Sequence, residues 1–254
     1  MKLRILGCSG GIGAGKHTTS MLLDGHTLID AGTGVGALTH GELCAIDHIF
    51  LTHAHLDHIV SIPFLVDTVG RDRTGPITVH ALPDVITALQ THIFNWVIWP
   101  DFATIPNKQS PLLRYQAFHV DERIPIQGGT IRPLPVDHVV PAVGFHLDSG
   151  QGSLVFTGDT TDHEPLWHEI NRIKNLRHLI IETAFPDKER DLALLAKHLC
   201  PSILGQVLEK LDTRAQIHIT HLKPDSIATI IGETRSGLPD ASLHMLADND
   251  ILEF

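Results

Sequence analysis

The chain has 254 residues, 43% of them hydrophobic, which is enough to bury a sizeable core. Its 29 acidic residues outnumber the 19 lysines and arginines, and the net charge of −10 argues against a long polyanionic partner, because nucleic acid binding depends on neutralising phosphates. No apolar run reaches the roughly 18 residues of a membrane span and no secretory signal pattern opens the chain, so we expect a cytoplasmic location without membrane contact.

The three cysteines, Cys8, Cys44 and Cys200, are far apart and form no CxxC pair. Their odd number argues against a disulfide framework and suits a reducing compartment. We therefore expect all three to be small buried hydrophobic residues.

Apolar runs and turn residues predict a layered α/β domain in which strands and helices are interspersed. The predicted strands cover residues 2–6, 20–23, 26–30, 45–51, 77–80, 112–120, 130–137, 142–147, 153–157, 178–182 and 215–220. The predicted helices cover residues 57–69, 83–95, 187–198, 201–211 and 224–231, and residues 31–36 form a turn that leads into a helix. An irregular stretch, 96–109, holds two of the three tryptophans. We expect Phe94, Trp96, Trp99 and Phe102 to pack, or the excursion 94–109 to cap the functional site or form a dimer contact.

The densest polar motif is Thr-His-Ala-His-Leu-Asp-His at 52–58, which directly follows an apolar strand. His53 and His55, two residues apart, are spaced to hold one metal ion, whereas Asp57 and His58 begin a predicted helix and can turn towards a second ion. Imidazole and carboxylate ligands without a thiolate suit zinc, manganese or iron. The chain therefore predicts a metal centre at the end of this strand.

Three more potential ligands, His138, Asp159 and His221, each follow a predicted strand. Ends of strands are where a sheet scaffold presents a functional site. Together with the first motif they supply seven ligands, the number that two metal ions need if one carboxylate bridges them.

In sequence order, these motifs resemble the metallo-β-lactamase superfamily over nearly the whole chain. The resemblance implies one domain over 1–254 with the four-layered αβ/βα sandwich fold. It implies that one metal is held by three histidines and the other by one aspartate and two histidines, while Asp159 bridges them. The implied ligands are His53, His55 and His138 for the first ion, and Asp57, His58 and His221 for the second. Zinc is the favoured ion, with manganese and iron as alternatives.

Within that superfamily the chain is most similar to class II 3′,5′-cyclic-nucleotide phosphodiesterases. The motifs that carry this likeness are LGCSGG at 6–11, LIDAGTG at 28–34, HAHLDHI at 53–59, FNWVIWPDF at 94–102, GDTTD at 158–162, IIETAFPD at 180–187 and KHLCPS at 197–202. The likeness implies hydrolysis of cyclic AMP or cyclic GMP to the 5′-nucleotide by a hydroxide that bridges the two metals. It also implies a homodimer.

Glu182 and His198 match a Glu–His pair of the related tRNase Z enzymes. A carboxylate that orients an imidazole favours its protonated form, which can hold or protonate a phosphoryl oxygen. Either this pair or Asp57 is expected to assist proton transfer. The predicted catalytic residues are Asp57, Glu182 and His198.

Three other functions compete with this interpretation. A tRNA 3′-processing nuclease shares the ligands and the Glu–His pair, but the charge of −10 and the lack of a basic arm make nucleic acid an unfavoured partner. Hydrolases of a lactone, thioester or sulfate ester use related ligand patterns. A non-catalytic metal-binding protein would keep the fold without the chemistry.

Overall fold

Two β-sheets lie face to face at the centre of the computed structural model, which describes residues 1–239 and 241–254. Within these residues each sheet has seven strands. The first sheet has the order β14-β1-β2-β3-β4-β5-β6, and its strands from β3 to β6 run parallel. The second has the order β13-β12-β11-β10-β9-β8-β7, and its strands from β10 to β13 run parallel.

The strand bounds follow the predicted ones closely for most of the chain. In the first sheet they are β1 (Lys2–Gly7), β2 (Ser20–Leu23), β3 (Thr27–Ala31), β4 (His48–Phe50), β5 (Ile77–Ala81), β6 (Leu113–Ala117) and β14 (Ile251–Glu253). In the second they are β7 (Ile124–Ile126), β8 (Gly129–Pro135), β9 (Val143–Asp148), β10 (Ser153–Phe156), β11 (Leu176–Glu182), β12 (Gln216–Thr220) and β13 (Leu243–Met245).

Helices cover the outer face of each sheet. They are α1 (His40–Cys44), α2 (Leu56–Ile59), α3 (Ile62–Val69), α4 (Pro83–His92), α5 (Glu164–Asn171), α6 (Arg190–Leu195), α7 (Pro201–Lys210) and α8 (Ile227–Gly237), with 3₁₀ turns at Thr33–Ala37 and Asp187–Glu189. In the described part of the chain, no helix is long and apolar enough to cross a membrane.

The buried apolar residues form three layers of core. One lies between the two sheets and includes Phe50, Phe145 and Phe156. A second packs the first sheet against α1 to α4, and a third packs the second sheet against α5 to α8, around the fully buried Trp167. Helix, sheet, sheet and helix therefore stack in four layers, and the predicted αβ/βα sandwich is confirmed.

The predicted helix over 57–69 is wrong in one respect, because it is two helices. The amide of Ser61 donates to the carbonyl of Ala31 on β3 instead of continuing the helix. The hydroxyl of Ser61 also donates to the carbonyl of Gly32, at 2.7 Å, and Pro63 starts α3 without an amide hydrogen. The break fixes the short helix α2 against β3.

The predicted helix over 187–198 is also shorter than expected. It ends at Leu195, and Lys197 takes a left-handed conformation with φ of 55°. That conformation reverses the chain, so His198 turns back towards the second sheet instead of lying on a helix face.

The irregular stretch 96–109 is confirmed, but its aromatic residues do not all pack. Phe94 and Phe102 are buried, and Trp99 packs at their edge against Phe64. Trp96, in contrast, is 65% exposed, so the prediction that it packs in the core is wrong. The cap on the site and the dimer contact expected of the excursion 94–109 stay predictions.

The expectation that all three cysteines are buried holds for Cys200 alone. Cys8 and Cys44 are only partly buried, and all three are free thiols. Cys44 is the last residue of α1, a helix of five residues of which none is fully buried.

Candidate metal centre

Loops from both sheets meet at one edge of the sandwich. The chain leaves β4 at Phe50 and enters the Thr-His-Ala-His-Leu-Asp-His motif, while His138, Asp159 and His221 follow β8, β10 and β12 of the opposite sheet. These strand ends face the same edge because β8, β10 and β12 run in one direction. The seven predicted metal ligands therefore come together, four from the first sheet and three from the second.

Four of these residues form a first cluster of donor atoms, His53, His55, His138 and Asp159. Nδ1 of His55 lies 3.0 Å from Nε2 of His53 and 3.3 Å from Nε2 of His138. Oδ2 of Asp159 lies 3.6 Å from Nε2 of His53. Donor atoms this close, all aimed at one point, match the first coordination shell of a divalent ion.

A second cluster contains Asp57, His58 and His221. Nε2 of His58 and Nε2 of His221 each lie 3.4 Å from Oδ2 of Asp159. Oδ2 of Asp57 lies 3.9 Å from His58 and 3.8 Å from His221. The same oxygen of Asp159 thus faces both clusters, as a carboxylate shared by two ions would.

Buried partners fix the rings of two of the three histidines that follow the first sheet, His53 and His58. His58 donates from Nδ1 to Oδ2 of Asp30 at 2.7 Å. The hydroxyl of Thr52 donates to the same carboxylate at 2.8 Å, so its oxygen is free to accept from Nδ1 of His53 at 3.0 Å. With Nδ1 occupied in both rings, Nε2 is left to face the cluster.

The rings from the second sheet are oriented in the same way. Nδ1 of His221 lies 3.2 Å from Oγ1 of Thr19, and His138 donates from Nδ1 to the carbonyl of Lys197 at 3.3 Å. His221 itself has φ of 65°, so a left-handed turn just after β12 aims its ring inward. Each of these four histidines therefore has one fixed nitrogen and one nitrogen directed at the cluster.

The residues present fit a bound cation. Nε2 of His58 is fully buried and has no hydrogen-bond partner, although buried polar atoms are normally satisfied. It faces two carboxylates, those of Asp159 and Asp57, at distances beyond a good hydrogen bond. A divalent ion between these groups would satisfy them all. The donor set, imidazole and carboxylate without thiolate, suits zinc, manganese or iron.

Burial and neighbouring charges set the protonation of the cluster in the absence of an ion. Burial lowers the pKa of His53 well below its usual range, that of His138 to about 4 and that of His221 to about 3. Burial also opposes the charged forms of Asp159 and His58, but the attraction of His221 and His58 for Asp159, and of Asp159 and Asp30 for His58, outweighs it. The pKa of Asp159 is therefore held low and that of His58 high. Three of the four oriented histidines are thus neutral at pH 7, the form that binds a metal.

Glu182 and His198 form a hydrogen-bonded pair beside these clusters. Nδ1 of His198 donates to Oε1 of Glu182 at 2.7 Å. The buried carboxylate of Glu182 also accepts from the backbone amides of Thr160, Ala184 and Leu199 at 3.1–3.2 Å. Although burial opposes the charge on His198, the Glu182 carboxylate raises the pKa of that imidazole above its usual value.

The ring of His198 lies against two of the proposed ligands. Its centroid is 5.5 Å from that of His221, nearly parallel, and 5.0 Å from that of His138. One nitrogen of His198 lies within 4.8 Å of donor atoms on Asp159 and His221. Since Nδ1 is bound to Glu182, Nε2 is the atom available to a substrate.

The sequence prediction missed the residues that orient these ligands. Asp30, Thr19 and Thr52 touch the rings of His58, His221 and His53, yet none was predicted to have a role. A signal existed only for Asp30, an acidic residue that follows two apolar residues in strand β3, whose five residues are all buried. Thr19 lies 202 residues from its partner, so local pattern could not reveal the contact.

Comparison with known proteins agrees with this geometry. Residues 26–238 match the family model described as a beta-lactamase superfamily domain. A Yersinia pestis protein named probable 3′,5′-cyclic-nucleotide phosphodiesterase is 25% identical over 205 residues, which cover 71% of this chain and 58% of that protein. A ribonuclease Z from Clostridium beijerinckii is 28% identical over 152 residues, which cover 56% of this chain and 47% of that protein.

The chain thus spans about half the length of these two relatives. Among solved structures, unliganded yeast PDE1 superposes with a TM-score of 0.82 at 18% identity, over 100% of this chain and 99% of that one. A likeness at that identity supports the fold. The family match, which covers most of the chain, together with the fold and the clustered ligands, shows that this chain belongs to the metallo-β-lactamase superfamily of metal-dependent hydrolases.

Proposed function

We propose that this chain hydrolyses a phosphodiester with two bound divalent ions, and that its substrate is a 3′,5′-cyclic nucleotide. The observation that carries the proposal is one carboxylate oxygen, Oδ2 of Asp159, which lies 3.4–3.6 Å from histidines of both clusters, with the Glu182–His198 pair beside it. This arrangement suits two ions and an acid at one reacting phosphate.

In this proposal His53, His55 and His138 would hold one ion, Asp57, His58 and His221 would hold the other, and Asp159 would be shared between them. When bound, such ions lower the pKa of water towards neutrality and offset negative charge on phosphoryl oxygens. Zinc is the favoured ion, because imidazole nitrogens dominate the donor set.

His198 acts as the proton donor or hydrogen-bond donor to the phosphate. Glu182 fixes its tautomer and orientation, and the charge of this carboxylate, which raises the pKa of His198, favours the protonated ring. The charged ring can hold a phosphoryl oxygen or protonate the departing 3′ oxygen. Asp57 is the more exposed carboxylate of the centre and is the alternative group for proton transfer.

The relatives support two phosphodiester substrates. The Yersinia pestis relative supports a cyclic nucleotide as the substrate, and the Clostridium beijerinckii ribonuclease Z supports an RNA substrate equally well. The ribonuclease Z likeness also means that the expectation of no nucleic acid partner is not supported, despite the charge of −10. A tRNA precursor is therefore the second candidate.

The deciding experiment is hydrolysis by the purified chain, loaded with zinc or manganese, of cyclic AMP, cyclic GMP, a chromogenic phosphodiester and a tRNA precursor. Turnover of a cyclic nucleotide that is lost in His55→Ala supports the proposal. Cleavage of the tRNA precursor alone replaces it with the second candidate. No cleavage of any substrate by the metal-loaded chain refutes a phosphodiesterase function.

A His198→Asn variant separates the roles within the same experiment. We expect it to keep both metals and to lower kcat roughly 10²–10⁴-fold, the usual contribution of a general acid. Loss of metal from this variant would instead assign His198 to the ligands.

A further inference from the structure

A separate cluster of donor atoms lies on the surface, away from the sheet edge that carries the metal centre. It consists of His40, Cys44 and Asp72, and we name it the helix-α1 cluster. Nε2 of His40 lies 3.0 Å from Oδ2 of Asp72 and 3.5 Å from Sγ of Cys44. All three donor atoms lie within 4.8 Å of one another.

These spacings match the edges of a tetrahedral metal site. With bonds of ~2.0–2.3 Å from zinc to nitrogen, oxygen and sulfur, ligand atoms on one ion lie roughly 3.3–3.6 Å apart. The measured pairs, at 3.0 and 3.5 Å, need only small side-chain rotations to reach that geometry. His40 and Asp72 are more than half exposed, so their side chains can make such rotations.

The backbone that carries the cluster is held in place without any ion. His40 and Cys44 are four residues apart on α1 and therefore share one helix face. Thr39 and Glu42 form a capping box at the start of that helix, and Arg4 binds Glu42 at 2.7 Å. The first two ligands are thus presented on a fixed turn of helix.

Asp72, the third proposed ligand, is held near α1 by the contacts of the next residue, Arg73. Arg73 donates to the carbonyl of Cys44 and binds the carboxylate of Asp47 at 2.7 Å. This pair of contacts fastens the segment after α3 to the end of α1. Asp72, one residue earlier, is therefore held beside Cys44.

We propose that the helix-α1 cluster binds a thiophilic divalent transition-metal ion of the zinc, cobalt and cadmium class, with solvent completing the coordination. The cysteine thiolate selects such ions over magnesium and calcium, which prefer oxygen ligands. Binding forms a metal–sulfur bond and releases the thiol proton to solvent. The ion joins α1 to the segment after α3.

The presence of sulfur makes this cluster distinguishable from the metal centre, whose donors are nitrogen and oxygen. Cobalt bound to a thiolate gives a charge-transfer absorption in the near ultraviolet, whereas cobalt on imidazole and carboxylate does not. We would titrate the full-length chain with cobalt and record this absorption together with the number of ions bound per chain. The readout does not depend on hydrolysis.

We expect the wild-type chain to show the thiolate absorption and to bind one more cobalt ion per chain than Cys44→Ala, which should lose the absorption. Asp72→Asn should keep the band at a weaker cobalt affinity. Cys200→Ala and His55→Ala should also keep it, because neither residue belongs to the cluster. An absent band in the wild type, or an unchanged band in Cys44→Ala, would overturn the proposal, whatever substrate the chain proves to hydrolyse.

Discussion

Ring nitrogens of paired histidines lie 3.0 Å apart in two regions of the molecule. In the candidate metal centre the pair is His53 and His55, and between the sheets it is His48 and His80. The first pair faces the carboxylate of Asp159, whereas His80 stacks flat on Phe50 with centroids 4.3 Å apart. Histidine proximity alone therefore does not make a cation site.

A second pair between the sheets repeats this contrast. Nδ1 of His178 lies 3.0 Å from Nε2 of His218, on the neighbouring parallel strands β11 and β12. Burial lowers the pKa of His218 to about 4, as it does for His80. These rings are neutral packing residues. The histidines of the metal centre differ because shared carboxylates and orienting partners surround them.

The largest effect should come from removing the shared carboxylate. We expect Asp159→Asn to lose metal from both clusters. Each bound ion would stabilise the transition state by several kcal/mol, so kcat/KM should fall by roughly 10³-fold or more. Metal content by elemental analysis and hydrolysis rate are the measurements. Full turnover with two metals in this variant would contradict the assignment of the seven ligands.

A smaller effect should come from an orienting carboxylate that touches no ion. Asp30→Asn keeps the shape of the side chain but weakens its hold on His58, so we expect metal affinity or activity to fall about 10–100-fold. Competition with a chelator of known affinity measures the change. Asp121→Asn, at an exposed carboxylate outside the centre, is the matched control and should leave metal affinity unchanged.

The smallest effect on function should come from the histidines between the sheets. We expect His80→Phe to keep metal content and hydrolysis, because His80 packs on Phe50 and a phenyl ring can take that place. A loss of metal in this variant would mean that the two histidine regions are not independent.

The same variant should change how stability depends on pH. Burial lowers the pKa of His80 in the folded chain to about 4 from an ordinary 6.5, so the unfolded chain binds a proton first as the pH falls. The wild type should therefore lose stability as the pH falls from 6.5 to 4, by on the order of 3 kcal/mol from this residue. Urea unfolding of chelator-treated protein at pH 7 and 5 should show a smaller loss in His80→Phe. An equal loss would assign that pH dependence to other groups.

Much of the metal centre was predictable because its signals are local. His53, His55, Asp57 and His58 occupy one short motif, and the other three proposed ligands directly follow strands that their apolar runs reveal. The four-layered fold followed from the resemblance to a known family. Contacts that orient the ligands were not predictable, because they join residues such as Thr19 and His221 that are distant in the chain.

Helix α5 and three strands escaped prediction, and the three strands are short and lie at sheet edges. Strands β7, β13 and β14 have three residues each, too few to show an alternating pattern. The break between α2 and α3 depends on a hydrogen bond from Ser61 to β3. The spacing of apolar residues along the helix does not reveal such a contact. Tertiary contacts, more than residue preferences, decided these boundaries.

The proposed ligands come from both sheets, four residues from the first and three from the second, and they meet across the layer where the two halves of the sandwich face each other. Ions bound there would brace one half against the other. A ligand that binds only the folded chain shifts the folding equilibrium in its favour as its concentration rises. Metal supply would then govern how long each molecule resists proteolysis, as well as how fast it works.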